Sequence, residues 1–143
     1  MSKIIKVNLG ELVPNGSYVY EKNLEQARQK WDQYRFENGL WINVYDLDGQ
    51  LFLPDGNHRV YIAYFEKDIK TAQAKLAELS DFPEYSWDDI LKPWRHLQDT
   101  AAKDGVHSVE DLEGRMRPGS WQNALSEEIK TRTVARGAKH YNA

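Results

Sequence analysis

One segment in the middle of the chain constrains the fold more than any other. Residues 41–45 and 51–53 are rich in β-branched and aromatic side chains and flank the turn-forming pair Asp48-Gly49, a combination that predicts a β-hairpin. The second strand leads through residues 55–59, with the sequence DGNHR, into an apolar run at 60–65 that favours a buried helix. These strand and helix signals together predict an α+β (α/β) fold.

Residues 55–59, called the DGNHR loop below, have the features of an anion-binding site. Gly56 lets the chain turn sharply, and the first N–H groups of the following helix have no partner inside that helix. Asn57 is placed to cap the helix, while His58 and Arg59 add hydrogen-bond donors and positive charge at its start. We therefore predict that a phosphate binds to Gly56, Asn57, His58 and Arg59.

A purely structural role for the DGNHR loop is the alternative. In this interpretation Asp55 bonds to its own backbone and Gly56 supplies a positive φ, so that the loop is only a capped turn. Arg59 would then pair with a nearby carboxylate such as Glu66.

Further elements are indicated before and after this segment. Alternating apolar residues predict a strand at 3–9, and an apolar stripe with helical spacing predicts a helix at 24–38. Asn23 is placed to cap that helix and Gly39 to end it. Residues 69–76 fit a strand or a helix equally well.

We predict that residues 1–79 form a core domain and residues 80–143 a helical extension packed on it. Helices at 108–116 and 120–136, separated by Pro118-Gly119, would form a pair related to helix-turn-helix units. Plausible helix caps in the extension are Ser86, Ser108 and Ser120. The residues expected to anchor the extension to the core are Trp87, Trp94 and Trp121.

Positive charge is concentrated near the end of the sequence. Residues 114–143 carry six Lys/Arg against two Asp/Glu, although the whole chain has a net charge of −3. Such residues can contact a nucleic-acid backbone, and the alternative is a solvated helix face. The candidates for DNA contact are Arg115, Arg117, Lys130, Arg132, Arg136 and Lys139.

Composition excludes several kinds of chemistry. The sequence contains no cysteine, which excludes disulfides, thiolate zinc sites and a cysteine nucleophile, and it fits a reducing cytoplasm. His96, His107 and His140 are far apart and lack metal-ligand spacing, so we expect no metal site built by the protein alone. No apolar stretch has the length of a signal core or a membrane span, so we expect a cytoplasmic protein without a membrane partner.

The order of these pieces resembles the ParB/sulfiredoxin-like superfamily over about half of the chain, residues 7–76. An opening strand runs into Leu12-Val13-Pro14-Asn15, and a helix and a strand pair then lead to the DGNHR loop and its apolar helix. The resemblance implies a small mixed sheet with helices, and a loop in which Gly56 is the turn glycine while His58 and Arg59 contact nucleotide phosphates.

Asn57 stands where members of this superfamily differ. Sulfiredoxins have their catalytic cysteine at the corresponding position, so the resemblance does not extend to sulfinic acid reduction. ParB partition proteins have a glutamate there that helps to hold a metal with the nucleotide. The free serine kinases of archaea use a similar D-G-x-T-R loop for phosphoryl transfer, which makes Asp55 and Glu11 candidates for an acidic group near the acceptor.

The function expected from the loop and the resemblance is binding of a nucleoside triphosphate, ATP or CTP, accompanied by Mg²⁺. Hydrolysis or phosphoryl transfer would use Asp55 and His58 as the catalytic candidates. Two alternatives stay open at this stage. One is a non-catalytic DNA- or protein-binding accessory module of a plasmid, phage or defence system, and the other is a ParB-like nuclease.

Overall fold

A computed structural model describes residues 3–34, 42–77 and 86–130 of the 143-residue chain. Its first half runs β1 (Lys3–Asn8), β2 (Val13–Pro14), β3 (Val19–Tyr20), α1 (Glu21–Gln29), α2 (Trp31–Tyr34), β4 (Ile42–Leu47) and β5 (Gln50–Leu53). After β5 come α3 (Asn57–Tyr61), which continues as a π-helical turn (Ile62–Glu66), then β6 (Thr71–Leu76), α4 (Trp87–Lys103), β7 (Met116–Arg117) and a helix at 121–130, here α5.

Five strands form one mixed sheet in the order β1-β6-β4-β5-β2. The pairs β1–β6 and β4–β5 are antiparallel, whereas β4–β6 and β2–β5 are parallel. A separate parallel pair joins β3 to β7. The predicted α+β fold class is therefore confirmed.

Apolar side chains from both halves of the chain fill the core. Alternation in β1 and β6 buries Val7, Ala72 and Ala74 against Val60 of α3 and Ala63 of the π-helical turn. A second cluster joins α1 to the end of α4 and the turn after it; its buried members are Val19, Leu24, Ala27, Ile62, Ala101, Val106 and Leu112. Residues after position 100 therefore share a core with residues before position 30. The division of the chain at residue 79 stays a prediction.

Strand and cap predictions are largely confirmed. The strand at the start, the β4–β5 hairpin and its Asp48-Gly49 turn are present, and residues 71–76 are a strand. Ser86 and Asp89 form a reciprocal capping box at the start of α4, a helix that contains Pro93. Gly39 lies outside the described residues.

The helix predicted at 24–38 is present with an earlier start, and its residues 35–38 lie outside the described residues, whereas the helix predicted at 108–116 was wrong. The helix expected at 24–38 begins at Glu21 with Tyr20 at the cap position, so Asn23 lies in its first turn instead of capping it. The segment expected as a helix at 108–116 is only a 3₁₀ turn, Val109–Leu112, followed by strand β7. Short polar segments do not reveal a strand whose partner is about 100 residues away, and no helix-turn-helix pair forms between 108 and 130.

Trp94 anchors the extension as predicted. Its ring lies 4.2 Å from the ring of Tyr45 and 5.7 Å from that of Phe52, measured between centroids. Trp121, by contrast, is 44% exposed.

In the described parts of the chain, no helix is long and apolar enough to cross a lipid bilayer.

Candidate functional site

The DGNHR loop leaves the sheet beside a second loop because β2 and β5 are parallel. Val13 pairs with Phe52 and Pro14 with Leu53, so both strands end at the same edge of the sheet. Asn15 therefore follows β2 next to the point where Pro54 follows β5, and its side-chain amide donates a hydrogen bond to the Pro54 carbonyl. The crevice beyond the carboxyl ends of such strands is a common place for ligands in α/β proteins.

Gly56 makes the sharp turn that the sequence predicts. Its φ is +97°, a value that favours glycine, and it occupies the cap position of α3. This corrects the expectation that Asn57 caps the helix. Because Gly56 already turns the chain, Asn57 is the first helical residue and its side chain is buried.

Asn57 instead connects the DGNHR loop to the loop after β2. Its Nδ2 donates to Asn15 Oδ1 at 2.5 Å, and its Oδ1 accepts a bond from the Asn15 backbone N–H at 3.4 Å. Asn15 thus supplies a partner to both polar atoms of the buried Asn57 amide, as a buried polar side chain requires. The contact fixes the two loops relative to each other, and Asn15 is a site residue that the sequence analysis missed.

His58 is tied to the start of α1. Its Nε2 accepts a hydrogen bond from the Tyr20 backbone N–H at 3.0 Å, which places the proton of the neutral ring on Nδ1. Burial lowers the pKa of His58 from 6.5 to about 4, and the nearby charge of Asp55 opposes this only in part. The imidazole is therefore neutral at pH 7, and only its Nδ1–H is left to donate to a ligand.

Arg59 folds back over the loop. Its Nη2 and Nε lie 2.9 and 3.3 Å from the position that a Cβ on Gly56 would occupy. The same Nη2 is 3.8 Å from Asp55 Oδ2, and the Asp55 side chain is 96% exposed. Glu66, the alternative partner suggested by the sequence, forms a two-bond pair with Arg28 at 2.8 and 2.7 Å. The positive charge of Arg59 therefore stays beside the DGNHR loop.

The two loops form one side of a cleft with a volume of about 810 Å³. Its lining includes Asn15, Asp55, Gly56, Asn57 and His58, but not Arg59 or Glu11. Glu11 accepts a hydrogen bond from the Asn8 side chain at 3.2 Å instead. A cleft of this volume is within the usual range for small-molecule and cofactor sites, about 300 to 1,000 Å³.

Aromatic and charged residues from elsewhere in the chain complete this cleft. Tyr18 and Tyr20 lie at the start of the β3–β7 pair, and the Arg117 guanidinium lies 3.4 Å from the centre of the Tyr18 ring. Trp121, Ala124, Leu125 and Glu128 contribute the face of α5 that borders the cleft, and Leu97 comes from α4. The sequence predicts a helix at 120–136, which contains Trp121 and Leu125, but nothing in the sequence indicates a shared cleft.

Three of the six predicted DNA-contact residues, Arg115, Arg117 and Lys130, lie in the described part of the chain. Arg115 donates to the Ser17 carbonyl at 2.7 Å, and both Arg115 and Arg117 stack on Tyr18. Lys130 is exposed at the end of α5. Arg132, Arg136 and Lys139 lie outside the described residues, so DNA binding stays a prediction.

A metal accompanying a nucleotide would have one carboxylate available at the DGNHR loop. Within residues 3–34, 42–77 and 86–130, no three Asp, Glu or His side chains cluster in a way that would hold a metal ion. Mg²⁺ commonly binds through one or two carboxylates together with substrate phosphates. Asp55, with its exposed side chain, fits that requirement.

The fold is similar to a solved structure. No family model matches the chain, and no curated protein matches it. The crystal structure of protein Atu1540 from Agrobacterium tumefaciens is similar to it with a TM-score of 0.46 and 15% sequence identity. The similarity covers 67% of this chain and 48% of the other, so the chain spans about half the length of that protein.

Proposed function

We propose that this protein binds a nucleoside triphosphate, with the phosphates at the DGNHR loop. The observation that carries the proposal is the position of Gly56. A left-handed glycine starts a helix at the edge of the 810 Å³ cleft, where the backbone N–H groups of the first helical turn have no partner inside the helix. An anion at this point would accept hydrogen bonds from those N–H groups and lie near the positive charge of Arg59.

The charges of the cleft favour a nucleotide that arrives with a divalent cation. Asp55 and Glu128 border the cleft together with a single arginine, Arg117. Bare triphosphate would be repelled by the two carboxylates, whereas Asp55 would help to hold a Mg²⁺ ion that arrives with the nucleotide. When bound, the metal would offset negative charge on the phosphates. We therefore expect tighter binding of nucleotide with Mg²⁺ than without it.

Binding is the primary proposal, and hydrolysis or phosphoryl transfer is its extension. Asp55 has an exposed carboxylate that could orient an attacking hydroxyl or water. His58 is less suited to act as a general base, because its Nε2 lone pair already accepts a hydrogen bond from the Tyr20 N–H. In this proposal His58 positions the loop and donates from Nδ1 to a phosphate oxygen. Nucleoside triphosphates are plentiful in the cytoplasm, which is where we propose that the protein acts.

A thermal-shift panel tests the proposal. The chain is heated with ATP, CTP, GTP and ADP, each with and without Mg²⁺, because a ligand that binds only the folded state raises the melting temperature. We expect the largest rise for a triphosphate with Mg²⁺. If no nucleotide changes the melting temperature at millimolar concentration, the proposal is wrong.

Arg59→Ala locates the site within the molecule. A charge-assisted hydrogen bond to a phosphate contributes about 1.5 to 3 kcal/mol, so the variant should bind nucleotide at least about tenfold more weakly. Arg95→Ala is the matched control, because Arg95 Nη2 lies 3.1 Å from Asp48 at the other Asp-Gly turn of the hairpin. Titration calorimetry of both variants gives the comparison. Unchanged affinity in Arg59→Ala would contradict a phosphate at this loop.

A further inference from the structure

Helix α5 presents apolar side chains to solvent at a regular spacing. Trp121, Leu125 and Ile129 are 44%, 42% and 53% exposed. Trp121 and Leu125 border the same cleft as the DGNHR loop, whereas Ile129 does not. A large aromatic ring that is half exposed beside a cleft is a common feature of ligand sites, because the ring gains from being covered.

The backbone at Trp121 is fixed although its ring is exposed. Its N–H donates to Asn23 Oδ1 at 2.9 Å, and Asn23 Nδ2 donates to Gln122 Oε1 at 3.1 Å. The adjacent Gly119 carbonyl accepts the N–H of Lys22 at 3.0 Å. Ser120 caps α5 as predicted, since its Oγ accepts the Asn123 N–H at 3.2 Å, and Asn23 attaches the start of α5 to the first turn of α1. A ring on a fixed backbone loses little freedom when a ligand covers it.

The two sides of the cleft differ in chemistry. The side formed by the DGNHR loop is polar and offers hydrogen-bond donors. The other side offers the flat surface of the Trp121 ring, beside the Tyr18 ring on which Arg115 and Arg117 stack. A ligand that satisfies both sides has an anionic end and a planar aromatic end. A nucleotide has this combination, whereas inorganic phosphate and aliphatic phosphate esters lack the aromatic end.

We propose that Trp121 stacks on the base of the nucleotide whose phosphates bind at the DGNHR loop. This inference rests on the proposed function and extends it to the position of the base. Stacking on an aromatic side chain accepts every base, because each has a flat π-face. Trp121 therefore contributes affinity for nucleotides over inorganic triphosphate, with little discrimination among bases.

The test compares a nucleotide with inorganic triphosphate. ATP and inorganic triphosphate, both with Mg²⁺, are titrated by calorimetry into the full chain and into Trp121→Ala, Trp121→Phe and Ile129→Ala. Loss of one base stack typically weakens binding at least about fivefold. We expect that loss for ATP in Trp121→Ala, with triphosphate affinity unchanged. Trp121→Phe should retain most of the ATP affinity, and Ile129→Ala should match the unaltered chain.

The outcomes separate the two proposals. If the unaltered chain binds both ligands and Trp121→Ala binds ATP as tightly as before, the stacking role is wrong and the phosphate site stands. An equal loss for both ligands would also contradict stacking, because it would mean that Trp121 acts through the fold. If the unaltered chain binds neither ligand, the proposed function fails and the stacking role fails with it.

Discussion

Two Asp-Gly pairs seven residues apart serve different purposes in this molecule. Gly49 in the hairpin turn has a φ of +91°, and Gly56 in the DGNHR loop has a φ of +97°. Each preceding aspartate also lies near an arginine, at 3.1 Å for Asp48 and 3.8 Å for Asp55. The dipeptide and the glycine φ are therefore alike, although Asp48 also has a positive φ of +54° and Asp55 does not. The larger difference lies in what surrounds the two pairs.

A local hydrogen bond holds the glycine of the hairpin turn, and the exposed Arg95–Asp48 pair is its contact with a distant residue, whereas less exposed hydrogen bonds from distant segments hold the DGNHR loop. The Gly49 N–H donates to Asp46, three residues earlier, at 2.7 Å, and no heavy atom lies within 4 Å of where a Cβ on Gly49 would be. In the DGNHR loop, Asn57 bonds to Asn15 and His58 to Tyr20, 42 and 38 residues earlier. An identical dipeptide thus makes a simple turn in one place and joins three segments in the other.

The largest expected effect comes from replacing the two glycines. An L-residue at positive φ costs about 1 to 2 kcal/mol, so Gly49→Ala and Gly56→Ala should both lower the free energy of unfolding by that amount. Only Gly56→Ala places a Cβ 2.9 Å from Arg59 and changes the direction of the N–H groups proposed to bind phosphate. We expect Gly56→Ala to abolish the nucleotide-dependent rise in melting temperature, and Gly49→Ala to keep it.

Gly16→Ala is the control for the effect of adding a methyl group beside the cleft. Gly16 borders the cleft, and no heavy atom lies within 4 Å of where its Cβ would be. Urea unfolding measures the stability of all three variants, and thermal shift measures their nucleotide response. If Gly49→Ala and Gly56→Ala respond to nucleotide alike, the functional difference between the two Asp-Gly pairs disappears.

Lowering the pH should decrease the free energy of unfolding, because His58 is protonated more readily in the unfolded chain than in the folded protein. The pKa of this side chain is about 4 in the folded protein because of burial, and about 6.5 in the unfolded chain. Between these values the unfolded state binds more protons, so stability falls as the pH falls from about 6.5 towards 4. After allowance for partial exposure, we expect a loss of about 1 to 2 kcal/mol between pH 7.5 and pH 5.

His58→Gln isolates this contribution. The glutamine amide oxygen can still accept the Tyr20 N–H, but the side chain does not titrate. Urea unfolding at several pH values should show a flatter pH dependence in the variant, by about the amount that His58 contributes. Equal pH dependence in both proteins would mean that the histidine is not buried in the way described.

Local features of the fold, and the turn at Gly56 in the candidate site, could be predicted from the sequence. The alternation in β1, the turn at Asp48-Gly49 and the capping box at Ser86 depend on residues a few positions apart. Gly56 was expected to turn the chain because glycine tolerates positive φ. In each of these cases the residues that determine the structure are neighbours in the sequence.

The features that build the cleft depend on contacts between distant residues. Strands β2 and β3 are two residues long, too short to show any alternation, and their partners are β5 and β7. Asn23 was expected to cap α1, but its side chain instead accepts the N–H of Trp121, the first residue of a helix about 100 residues later. Asn57 was expected to cap α3, but it is buried against Asn15 because Gly56 already begins the helix. Only the packed fold selects these partners.

The smallest expected effects measure how strongly the distant contacts hold the loop. Asn57→Ala leaves the half-buried Asn15 Oδ1 without this partner, and the loss of one such hydrogen bond costs about 1 to 1.5 kcal/mol. In a double-mutant cycle with Asn15→Ala, the two residues should show a coupling energy of about 1 kcal/mol in urea unfolding. Asp46→Ala removes the acceptor of the exposed Gly49 N–H, which water can replace, so about 0.5 kcal/mol is expected.

The contrast between Asn57 and Asp46 decides whether distant contacts matter more than local ones. Asp46 accepts a hydrogen bond from Gly49 in the hairpin turn, and Asn57 bonds to Asn15 in the loop beside the DGNHR loop. The Asn57 side chain is buried, whereas that of Asp46 is exposed. Because water competes for exposed hydrogen bonds, a comparable cost for Asp46→Ala and Asn57→Ala would contradict the assignment of the DGNHR loop to long-range support. A coupling near zero between Asn15 and Asn57 would contradict it as well, since two amides that bond to each other cannot contribute independently.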